Sequence, residues 1–80
     1  MDREHLARHM RDLEWAADAG NPFLFAFILG DILDMHLRDG MNAHQVNLIA
    51  GKLCRDHDVA EDVCRRMARA AGLAMRQRQA

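Results

Sequence analysis

The sequence is 80 residues long with a formal net charge of −1, half of it hydrophobic and only one residue proline. That length fits one domain, residues 1–80, too apolar to stay disordered and too neutral for the strongly basic footprint of a dedicated nucleic-acid binder. A chain this short buries only about 60–65% of what its unfolded form exposes, so a second subunit in a closed two-fold dimer is the expected source of further cover.

The first helix is expected over residues 2–19. Leu6, Met10, Leu13 and Ala17 share a face flanked by His9 and Ala16, and Gly20 closes the segment. Trp15 does not join that face. It projects to the opposite side, among Glu4, Arg8, Arg11 and Ala19. Either its ring lies along the arginine stems, or it is a contact anchor, since tryptophan and arginine are enriched among binding hot spots.

The second segment holds all three phenylalanines, Phe23, Phe25 and Phe27. Asn21 is a good N-cap, Pro22 suits the first helical position, and Gly40 supplies a left-handed stop. At about 100° per residue, Asp31, Asp34 and Arg38 fall on one narrow arc, and Phe23 and Phe27 project to the same side. Leu24, Phe25, Ile28, Leu29, Ile32, Leu33, Met35 and Leu37 spread around most of the remainder, the pattern of a helix covered on several sides. The acids interrupt the apolar run too soon for it to span a bilayer.

The third helix is expected over residues 41–57. Asn42 and Gln45 have capping-box spacing, Met41 and Val46 can close a hydrophobic staple, and Val46, Ile49, Ala50, Leu53 and Cys54 form the inner face. Gly51 either admits a close neighbour or is simply tolerated. The fourth helix is expected to follow without a linker, with Asp58 as N-cap and Glu61 completing a second capping box. Val59, Ala60, Val63, Met67, Ala70, Ala71 and Ala74 form its expected inner face. Arg65, Arg69 and Arg76 line the outer one, with Arg66 beside them.

Several constellations resemble chemistry without completing it. Cys54, His57 and Cys64 gather near the third junction, but their spacing is not a standard zinc pattern and a fourth ligand is missing. Both cysteines lie toward inner faces, where a free thiol behaves as a small hydrophobe. His5 and His9 are four apart on the first helix. Asp31, Asp34 and His36 supply acid–base groups, but Asp31 and Asp34 share an outer arc while His36 points elsewhere. Serine, threonine and tyrosine are absent from the chain, which removes hydroxyl nucleophiles. No enzymatic activity, metal or cofactor is expected.

Ten of the eleven basic residues are arginine, a bias that fits a GC-rich bacterial or phage genome. The N-terminus begins without an apolar signal region, so the cytoplasm is the expected compartment. The resulting expectation is an all-α, compact bundle of four short helices, forming a homodimer and acting as an adaptor or inhibitor of another protein. Its expected contacts are Arg8, Arg11, Trp15, Phe23 and Phe27. The alternative is a helix-turn-helix-like DNA-binding regulator contacting nucleic acid through Arg65, Arg66, Arg69 and Arg76, with Arg78 beyond them. Against it, Asp56, Asp58, Glu61 and Asp62 would repel phosphate.

Overall fold

The computed structural model describes residues 3–66 and 69, and every regular element among them is helical. α1 spans Arg3–Asp18, α2 spans Pro22–Arg38 and α3 spans Ala43–Asp56. A fourth helix, α4, begins at residue 61 and is described over residues 61–66 and at 69. The expectations for Met67, Ala70, Ala71, Ala74, Arg76 and Arg78 lie outside the described residues.

The helix starts follow local side-chain chemistry. Asn21 caps α2, its Oδ1 accepting from the Leu24 amide at 3.1 Å, with Pro22 at the first helical position. At α3 the capping box is complete. The Gln45 amide donates to Asn42 Oδ1 at 2.9 Å, and the Asn42 amide donates to Gln45 Oε1 at 3.1 Å.

The C-terminal ends of α1, α2 and α3 close in the same way. Gly20 (φ 67°), Gly40 (φ 97°) and Asp58 (φ 56°) each adopt the left-handed conformation one residue past the cap. At each end two amides fold back onto the last turn. Gly20 donates to the Ala17 carbonyl and Asn21 to Ala16; Gly40 donates to Leu37 and Met41 to His36; Asp58 donates to Arg55 and Val59 to Cys54. These are Schellman closures, which satisfy carbonyls the helix leaves unpaired.

The third closure corrects the expected start of α4. Asp58 is not an N-cap and forms no capping box with Glu61, because an N-cap needs an extended backbone and Asp58 is left-handed. The chain has no glycine at this end, and aspartate is among the few other residues that enter the left-handed region at modest cost. α4 therefore starts two residues later than expected, with the Cys64 amide donating to the Ala60 carbonyl at 3.0 Å. Ala60 leaves the expected inner stripe and is exposed, whereas Val59 and Val63 are half-buried and Cys64 is buried on the inward side expected for it. Glu61 and Asp62 remain in the first turn, where carboxylates meet the positive end of the helix dipole.

α2 is the central element, packing against α1 on one side and α3 on the other. Its Phe25, Ala26, Ile28, Leu29 and Ile32 are buried, together with Leu13 and Ala16 of α1, Leu53 and Cys54 of α3, and Cys64 of α4. The His57 ring meets Phe25 edge-on, with centroids 5.7 Å apart, tying the α3 end to the middle of the core. Gly51 is buried because a Cβ there would lie 3.2 Å from both Glu61 Oε1 and Arg55 Nη1. The missing side chain thus admits the Glu61 carboxylate against α3.

Two substitutions test this account of the fold. Asp58→Gly relieves a left-handed non-glycine residue and should raise the unfolding free energy by about 0.5–1 kcal/mol. Phe25→Ala empties the centre of the core and should lower it by about 3–5 kcal/mol. Denaturant midpoints at unchanged m-value measure both.

Candidate functional site

The described surface carries more oil than the interior's needs explain. Trp15 is 63% exposed, Phe23 51%, Phe27 41%, Leu37 46% and Leu48 60%, while no polar or charged side chain is buried among the described residues. Trp15 stands on the outward side of α1, where Arg8 and Arg11 are also exposed. Phe23 and Phe27 occupy the side of α2 that carries Asp34 and Arg38, as their spacing predicts.

Leu37 overturns part of the expectation for α2. It was expected on the covered part of the helix, yet it lies on the open arc with Phe23, Phe27 and Gly30. Counting from Phe23 in alternating steps of four and three reaches Phe27, Gly30, Asp34 and Leu37. That spacing was the signal available in the sequence, hidden because the two middle positions are not apolar.

Two arginines of α4 sit in local pairs. Arg65 Nη2 lies 2.9 Å from Glu61 Oε1, and Arg66 Nη2 lies 3.2 Å from Asp62 Oδ2. Each pair joins residues four apart with the acid first, the more favourable order on a helix. Arg69 is exposed. Asp34 pairs with Arg38 at 3.0 Å on the open face of α2. Lys52 Nζ donates to Asp56 at 2.7 Å in the last turn of α3, and that contact holds the Asp56 carboxyl below its ordinary value.

The cysteine–histidine group separates into two unrelated contacts. Cys54 and Cys64 are buried and share a side-chain hydrogen bond, whereas His57 packs on Phe25. Burial raises the Cys54 thiol above its ordinary value and pushes Cys64 up to about 12, with the neighbouring Cys54 adding to the latter. On α1, His9 Nδ1 hydrogen-bonds the His5 carbonyl at 2.7 Å, so that ring nitrogen serves the helix itself. Among the described residues no group of three His, Cys, Asp or Glu side chains is placed to hold a metal ion. Asp31 and His36 project from different sides of α2 and do not converge with Asp34 on a common point.

A shallow groove of about 400 Å³ runs between α2, α3 and α4. Ala26, Leu29, Cys54 and Cys64 supply its buried lining, and Glu61 and Arg65 stand at its more exposed side. No helix among the described residues is long and apolar enough to cross a membrane. No protein family, curated protein or solved structure matches this chain.

The thiol pair gives the fold a defined response to alkali. A group whose pKa is raised by folding keeps its proton in the native state while the unfolded chain releases it. Stability is therefore full below the ordinary thiol value of 9.0 and falls as pH rises toward about 12. For Cys64 the expected slope reaches about 1.4 kcal/mol per pH unit, and the raised Cys54 thiol adds in the same direction. Cys54→Ala combined with Cys64→Ala should flatten this decline, measured as denaturant midpoint against pH.

Proposed function

We propose that this protein is a small all-helical interaction module that works by binding another protein and that also self-associates as a homodimer. The observation that carries the proposal is the set of large apolar side chains left open on α1 and α2 of a chain that fills its own core. Isolated exposed leucines are ordinary on protein surfaces. A tryptophan 63% exposed beside two arginines, and two phenylalanines one turn apart, are the residue types that dominate binding energy. The favoured mechanism is recognition by helix faces: Trp15, Arg8 and Arg11 form one contact set, and Phe23 and Phe27 a second. As a regulator it would act as an adaptor or inhibitor, by occupying a surface of its target.

The DNA-binding alternative has less support. Arg65 and Arg66 are each held by a carboxylate one turn earlier, and the first turn of α4 presents Glu61 and Asp62 where phosphate would approach. A duplex affinity that falls steeply with log salt, and disappears with Arg65→Ala plus Arg69→Ala, would transfer the proposal to that alternative.

The interaction proposal is tested by co-purification from the host, with Trp15→Ala as the paired control. A specific protein retained by the native chain and released at least about tenfold more readily by Trp15→Ala is expected, a loss typical of removing a hot spot. Equal retention by both chains removes the α1 face from the proposal.

A further inference from the structure

We infer that Cys54 and Cys64 form a redox pair, which a small hydroperoxide closes into an intramolecular disulfide that fastens the start of α4 to the end of α3. This goes beyond the interaction proposal and does not depend on it.

The two thiols belong to different helices and meet at one point. The Val59 amide donates to the Cys54 carbonyl at 2.8 Å, and the Cys64 amide donates to the Ala60 carbonyl at 3.0 Å. The chain thus turns back directly behind Cys54, and the first turn of α4 returns Cys64 to it. A hydrogen bond between the two side chains completes the approach. Disulfide formation needs side chains that face one another across a short gap, and a thiol–thiol hydrogen bond supplies that facing. The same two helices touch again where the Glu61 carboxylate lies over Gly51. Cys64 is also the one fully buried side chain among the described residues of α4, since Glu61 and Val63 are half-buried and Asp62, Arg65, Arg66 and Arg69 are exposed. A covalent bond there acts where α4 is held most deeply.

The surroundings give the two sulfurs different parts. Burial raises both thiols, which slows the reaction at neutral pH. At Cys54 the hydrogen bond from Cys64 and the cations of Arg65 and Arg55 oppose that rise, while Glu61 adds to it. At Cys64 burial, the hydrogen bond, Cys54 and Glu61 all act upward. Cys54 is therefore the sulfur that reacts first. Both residues line the groove between α2, α3 and α4, and a small uncharged oxidant suits thiols that are nearly closed to water. The Cys54 thiolate attacks a peroxide oxygen, the O–O bond breaks, and the departing hydroxide takes a proton to leave as water. The sulfenic acid so formed at Cys54 is then attacked by the Cys64 sulfur. Its hydroxyl leaves with the Cys64 proton as a second water. Two thiols and one hydrogen peroxide thus give one disulfide and two waters, with two electrons passing from sulfur to oxygen.

The test treats the full, reduced chain with hydrogen peroxide at neutral pH and follows its intact mass. The chain should lose two hydrogens and stay monomeric in covalent mass, and dithiothreitol should restore it. Trypsin cuts after Arg55 and separates the two cysteines, so the oxidised digest should hold residues 53–55 and 56–65 as one linked species. Closing the loop of residues 54–64 should lower the unfolding equilibrium constant on the order of 100-fold, read from denaturant midpoints with and without dithiothreitol. The Cys64 amide should exchange with solvent at least about tenfold more slowly in the oxidised chain, the mark of a fastened α4. Cys64→Ala should stop at the sulfenic acid of Cys54, captured by dimedone. Mass and linkage are read on the native chain, so they hold whether or not that variant folds. A mass unchanged by peroxide, disulfides between chains in place of the internal one, or closure that leaves both unfolding and Cys64 exchange unaltered would each overturn the inference.

Discussion

The structure depends on burying one arc of α2. Phe25, Ile28, Leu29 and Ile32 are the part of this helix that the chain must cover, and each neighbouring helix is placed by the section it covers. Leu13 and Ala16 bring α1 to the arc, Leu53 and Cys54 bring α3, and Cys64 brings the start of α4. At roughly 25 cal/mol per Å² of apolar surface removed from water, this common burial outweighs any ion pair on the exterior. The Asp34–Arg38, Lys52–Asp56, Glu61–Arg65 and Asp62–Arg66 ion pairs are surface pairs between residues four apart on one helix, which strengthen helices individually and do not set their mutual positions.

A second constraint is the repeated left-handed closure. α1, α2 and α3 each end with two amides returned to the last turn, so the chain reverses direction within a few residues and returns to the same core. Glycine supplies this geometry after α1 and α2. After α3 an aspartate supplies it, and that substitution has a structural consequence. A residue spent on closing one helix is unavailable to open the next, so Val59 and Ala60 become a short connector and α4 starts at residue 61. The same shift sets the Glu61 side chain against Gly51 and brings Cys64 to Cys54.

Function is proposed from what the core leaves over. A helix with one buried arc normally turns a polar face to water. α2 turns outward two phenylalanines and a leucine, interrupted by a glycine and an aspartate–arginine pair, and α1 adds a tryptophan between arginines. Apolar area of this kind has a solvation cost that contact with a partner removes. The two faces belong to different helices, so self-association and recognition of another protein are compatible proposals for the same chain.

Much of the fold was legible in the residues alone. The caps at Asn21 and Asn42, the proline at the head of α2, the stops at Gly20 and Gly40, and the outward direction of Trp15, Phe23 and Phe27 follow from short-range rules. Those rules act within a single helical turn, where neighbours along the chain are neighbours in space. The role of Asp58 was decided by tertiary structure, because its side chain suits an N-cap and a left-handed turn alike, and only the path of α3 into α4 selects between them. The exposure of Leu37 was decided in the same way. A helical wheel gives the angle of each side chain, but which arc is covered depends on where the other helices lie, and that is set by the packing of the whole core.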